Sequence, residues 1–87
     1  MIDDVSLIRL LIFLKSVNTV ETLNLCWNQI GERGAKHLSK FLSKNETLKT
    51  LDISKNQITD TGSKFIAKSL TINKTLESLD LCKFFFF

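Results

Sequence analysis

The run Leu23-Asn24-Leu25-Cys26-Trp27-Asn28-Gln29-Ile30 returns 28 residues later as Leu51-Asp52-Ile53-Ser54-Lys55-Asn56-Gln57-Ile58. A further 28 residues bring Leu79-Asp80-Leu81-Cys82. The match extends through whole units: Thr22–Lys49 and Thr50–Glu77 are identical at 12 of 28 positions. A fixed period of this length means stacked supersecondary units, each unable to bury its apolar face alone, and not one closed core. Such a stack offers an extended surface for binding.

Each unit opens on alternation. Leu23 and Leu25 alternate with Thr22, Asn24 and Cys26, and Leu51 and Ile53 alternate with Thr50, Asp52 and Ser54. A period of two sets the aliphatic residues on one face of a short strand and the polar ones on the other. Strands are expected to centre on Leu23–Leu25, Leu51–Ile53 and Leu79–Leu81, pairing in parallel. Asn28 and Asn56 follow, where a side-chain amide can bond the backbone of the bend and repeat as a ladder.

The period then lengthens. Ile30, Gly34, Leu38, Phe41 and Leu42 recur at steps of three and four, as do Ile58, Gly62, Ile66 and Leu70. That is the stripe of an amphipathic helix, expected near Asp4–Lys15, Glu32–Ser43 and Asp60–Thr71. Thr59 or Asp60 fits an N-cap, and Gly31 is a permitted one. Gly34 and Gly62, where alanine would favour the helix, imply close approach of helix to strand. Asn45 and Asn73 follow the helices, and asparagine tolerates the left-handed conformation that ends a helix.

The pattern LxLxxNxI, followed by Gly, Leu, Leu, Asn and Leu at fixed offsets, resembles the leucine-rich repeat. With 28 residues and a full helix per unit it is similar to the ribonuclease-inhibitor-like subclass, which also occurs in NOD-like receptors and Ran GTPase-activating proteins. The resemblance covers nearly the whole chain. It implies an α/β solenoid segment, with parallel strands on the concave face and helices on the convex face.

Residues 1–87 thus form one leucine-rich-repeat segment. Residues 1–21 read as the helical half of an incomplete repeat, 22–49 and 50–77 as full repeats, and 78–87 as the start of another. Neither end carries the polar cap that a stack needs. Ile8 and Ile12 stand where the second helix has Lys36 and Lys40. That surplus either shields the N-terminal end or packs on a neighbour. Phe84–Phe87 breaks the pattern and is an aggregation hazard. The preferred reading is a fragment of a longer chain with flanking repeats; a tail that inserts into a partner or membrane is the sharper alternative.

The formal net charge is +3. Lys36, Lys40 and Lys44 lie at helical spacing, with Lys64 and Lys68 at matching positions. A solvated outer stripe is preferred over nucleic-acid or acidic-lipid binding, because no aromatic residues interleave and no recognition motif is present. Val5–Leu14 is too short to span a membrane, and Asp3 and Asp4 ahead of it are wrong for a signal peptide. Cys26 and Cys82 share a strand position two repeats apart. At about 4.8 Å per strand they fall beyond disulfide reach, which points to a reducing, cytoplasmic setting.

The chemistry of an enzyme is not legible. His37, the only histidine, has no catalytic spacing to Glu32 or Glu46 and aligns with Phe65. Cys26, His37 and Cys82 lack metal-site spacing. Gly31-Glu32-Arg33-Gly34 is no phosphate loop. Asp52 and Asp80 could pair on neighbouring strands, but a solenoid face supplies no pocket by itself. Their like charges in register cost some stability, a hint of a partner, although a solvated stripe is the simpler reading. The sequons at Asn45 and Asn73 are copies of one repeat position, and no glycan is expected. No cofactor is implied.

The expected site is therefore the concave strand face, binding a protein. Its candidate residues are Asn24, Asp52 and Asp80 in one column, and Trp27, Lys55 and Lys83 in a second just beyond the strands. An exposed tryptophan beside acids and lysines has the composition of an interaction hot spot; local packing of Trp27 over the strand–turn edge remains the alternative. The function expected is a non-catalytic protein–protein interaction module. The alternative is an enzyme regulator on the same fold, a GTPase activator or ribonuclease-inhibitor-like inhibitor.

Overall fold

A computed structural model of the chain describes residues 1–81; the positions of Cys82, Lys83 and Phe84–Phe87 fall outside them. Helices and strands alternate: α1 (Asp4–Ser16), β1 (Thr22–Asn24), α2 (Glu32–Lys44), β2 (Thr50–Asp52), α3 (Asp60–Leu70) and β3 (Ser78–Asp80). The strands form a parallel sheet in the order β1-β2-β3. Thr22 pairs with Thr50 and Thr50 with Ser78, so the register equals the sequence period.

The strands end one residue before the expected centre would place them, for a local reason. The side-chain oxygen of Asn24 accepts the backbone N–H of Cys26 at 3.0 Å. Asp52 does the same for Ser54, also at 3.0 Å. Each turn thereby captures an amide that a longer strand would use. Pairing still continues at single points: the N–H of Leu25 donates to the Asp52 carbonyl, and that of Ile53 to the Asp80 carbonyl.

The core lies between sheet and helices and reaches into α1, where Leu7 is completely buried. Leu25, Ile30, Leu38, Leu42, Leu48, Leu51, Ile53, Ile58 and Ile66 are fully or almost fully buried. Burial thins toward the last unit, since each unit covers its neighbour. Leu42 is completely buried, whereas its repeat equivalent Leu70 is 38% exposed.

Helix starts are tied to the preceding unit. Asp3 caps α1 through Ser6, and Thr59, rather than Asp60, caps α3 through Gly62. Gly31 precedes α2 with no side chain of its own to offer. Its N–H instead donates to Asp4 Oδ1 at 2.7 Å, from the helix before. One repeat on, Thr59 Oγ1 donates to Glu32 Oε1 at 3.1 Å.

The two repeated glycines serve helix–helix contact, not the helix–strand approach expected. A Cβ on Gly62 would stand 2.8 Å from Ile58 Cγ2 and 3.1 Å from Ala35 Cβ on α2. A Cβ on Gly34 would collide with the Asp4 carboxylate on α1. The sequence repeats the glycine because each helix meets its predecessor at that point.

The left-handed residues also differ from expectation. Asn45 has φ −77° and ψ 138°, extended backbone. The non-glycine residues with positive φ are Trp27 at 58° and Lys55 at 59°. Asn45 and Asn73 act through their side chains instead. Asn45 Oδ1 accepts the N–H groups of Thr47 and Leu48, and Asn73 Oδ1 those of Thr75 and Leu76. Asn73 Nδ2 reaches back to the carbonyls of Leu42 and Asn45. This is a second asparagine ladder, on the far side of the helices from the first.

The first ladder is as expected at Asn56, which is 6% exposed. Its Nδ2 donates to the carbonyls of Leu25, Ile53 and Ser54, and its Oδ1 accepts the Ile30 N–H. Asn28 bonds the same way but is only partly buried. Its Oδ1 accepts the N–H of Ile2, so the residues ahead of α1 join the ladder although no full strand precedes that helix.

Candidate functional site

The strand face is built by register. Asn24, Asp52 and Asp80 stand opposite one another across three strands. Asn24 and Asp80 are exposed and Asp52 partly so. Asp52 Oδ1 accepts Ser54 Oγ at 2.6 Å as well as the Ser54 N–H. These bonds, the hydroxyl first, hold the Asp52 carboxyl below its ordinary pKa of 3.8, and the nearby Lys55 ammonium adds to the effect. A carboxylate with fixed donors keeps its charge and its orientation.

The second column turns on backbone shape. Once the side chains of Asn24 and Asp52 have closed their turns, the chain reverses through a left-handed residue, Trp27 or Lys55. Such a conformation costs a side-chain-bearing residue about 1–3 kcal/mol. At Trp27 it also leaves the indole 68% exposed. The Lys55 ammonium lies 5.5 Å from the centre of that ring, a cation–π pair.

Lys55 therefore joins the two columns, acting on the Trp27 ring and on the Asp52 charge. Trp27, Lys55 and Asp52 come together; Asn24 and Asp80 extend the same face along the stack. Lys83 lies outside the described residues. A further column went unread in the sequence: Glu21, Lys49 and Glu77, at the approach to the strands. Lys49 Nζ is 4.0 Å from Glu77 Oε2. The signal was present as charges of alternating sign at the repeat period.

A family model described as Leucine Rich repeat matches residues 18–39 and 44–67, together just over half of the chain. The chain belongs to the leucine-rich-repeat family. No curated protein matches it. Leucine-rich repeats generally mediate protein–protein interaction and are typically non-catalytic, and the columns of this leucine-rich-repeat chain suit that use. Among the described residues, no group of three or more His, Cys, Asp and Glu side chains could hold a metal ion. Among the same residues, no helix is long and apolar enough to cross a membrane. His37 is a half-buried helix residue.

Proposed function

We infer that this leucine-rich-repeat segment binds a protein partner through its concave strand face. The observation that carries the reading is Trp27. A large apolar ring is kept in solvent, on a left-handed backbone, with a lysine over its face. Packing does not account for an indole that is mostly exposed, whereas burial against a partner would recover its apolar area. The oriented carboxylate of Asp52, with Asp80 in register beside it, favours a partner that presents basic groups next to an apolar pocket. Lys83, by its repeat position, would extend the second column.

The setting proposed is cytoplasmic, as part of a longer chain of the ribonuclease-inhibitor-like or NOD-like-receptor sort, with flanking repeats. In support of the flanking repeats alone, Phe41 is 6% exposed in the contact between α2 and α1, while its repeat equivalent Phe13 is 60% exposed. A preceding unit would bury Phe13 in the same way.

The experiment is a comparative pull-down from cytosol with the wild type, Trp27→Ala, Asp52→Arg and the outer-helix variant Lys64→Glu. A partner retained by wild type and Lys64→Glu but lost by Trp27→Ala and Asp52→Arg is the expected result. Retention by both strand-face variants with loss on Lys64→Glu contradicts the reading.

A further inference from the structure

On the opposite side of the molecule, the stripe of outer lysines is interrupted. Position 12 of α1 is the repeat equivalent of Lys40 and Lys68, and position 8 that of Lys36 and Lys64. Both positions hold isoleucine in α1. They lie four residues apart, so their side chains share one helical face. Ile12 is 63% exposed, an unusual exposure for a branched aliphatic residue beside a solvated basic stripe.

The isoleucines line a groove between α1 and α2 of about 190 Å³, together with Phe41. Lys15, Lys40 and Lys44 rim it, and no carboxylate is in its lining. Past Phe41 the valley opens into a second hollow of about 440 Å³, lined by Lys15 and Lys44 and also by the Glu46 carboxylate. All three rim lysines are exposed, and none has an ion-pair partner among the described residues. Lys36, by contrast, is placed over the Phe65 ring at 5.8 Å. The narrower groove thus combines an apolar lining with positive charge, and the Glu46 carboxylate lies in the lining of the second hollow.

We propose that this groove is a second docking site, which takes an acidic amphipathic helix of a partner protein. Two side-by-side helices form a valley into which the ridge of a third helix fits. The partner would place apolar residues at helical spacing over Ile8, Ile12 and Phe41, and carboxylates toward Lys15, Lys40 and Lys44. The charge pattern sets the sign of the partner. The valley between two helices favours a helix over a flat lipid surface, because the ridge of a third helix fills the space between them. The site is separate from the strand face and does not depend on its having a partner.

The test uses the 87-residue chain and a labelled 15-residue peptide with leucine at i, i+4, i+7 and i+11 and glutamate and alanine elsewhere, read by fluorescence anisotropy. Ile12→Lys is the decisive variant, because lysine is already the residue at the equivalent position of α2 and α3. It should keep the circular dichroism of wild type and weaken peptide binding at least tenfold. Lys40→Glu with Lys44→Glu should weaken it at least as much, and binding should fall with added salt. Trp27→Ala should leave it unchanged. A lysine-for-glutamate peptide that binds as well, or an Ile12→Lys protein that binds the acidic peptide like wild type, overturns the proposal. So does Ile12-dependent binding to phosphatidylserine vesicles without binding to the peptide.

Discussion

The side-chain amide of Asn56 donates to the carbonyl of Leu25 at 2.8 Å, joining residues 31 apart that belong to successive repeats. The same side chain accepts the Ile30 N–H at 2.9 Å. Asn56 thus closes its own turn and ties it to the turn before. Asn56→Ala would leave these buried groups unpaired, at a cost of about 1–3 kcal/mol. Asn28→Ala should cost less, because Asn28 is only partly buried and its cross-link runs to Ile2 at the edge of the stack. Urea denaturation of both variants checks the order; equal losses would contradict it.

Gly62→Ala separates helix propensity from packing. Alanine would raise helix stability by about 1 kcal/mol in an open site. Here its Cβ meets Ile58 and Ala35, and overpacking of a closed contact costs about 1–3 kcal/mol. The expected outcome is net destabilisation, seen as a lower denaturation midpoint. A raised midpoint would show that α2 and α3 have room to part.

Trp27→Gly should divide stability from binding. Glycine adopts a positive φ without a steric penalty, so the variant gains there while losing a cation–π contact worth about 0.5–1 kcal/mol at an exposed site. Stability should be unchanged or higher, and binding to the strand-face partner weaker by about 2 kcal/mol or more. A clear loss of stability with intact binding would make Trp27 a packing residue.

Much of this architecture is legible in the sequence because a repeat compares each residue with its own copies. The 28-residue spacing that aligns Leu23 with Leu51 also sets the parallel register of β1 and β2. What escaped is what copies share without revealing its cause. Gly34 and Gly62 recur, but recurrence does not say whether a helix or a strand presses on them. Asn45 and Asn73 recur at helix ends, where a left-handed turn and a side-chain ladder both demand asparagine. Trp27 and Lys55 differ in kind, so their shared left-handed backbone left no common residue to read. The alignment did place them in one column of the candidate site; their cation–π contact is a matter of side-chain reach.

The lowered pKa of Asp52 fixes a pH dependence. Its carboxyl titrates below 3.8 in the folded chain. The stability from its bonds to Ser54 is therefore fully present above about that pH in the unfolded reference, and is lost as pH falls through the lowered folded value. Asp52→Asn removes this dependence, so its denaturation midpoint should fall less steeply than wild type below pH 3.8. Parallel acid limbs for the two proteins would mean that the Ser54 bonds do not distinguish the charged carboxylate.

The most direct measurement is site-specific photo-cross-linking in cells, with a benzoylphenylalanine placed either at Asn24 on the strand face or at Lys68 on the outer helix. The account predicts a discrete protein adduct from position 24 that disappears when Trp27→Ala is added, and none from position 68. An adduct from position 68 with none from position 24 would contradict the strand-face interaction.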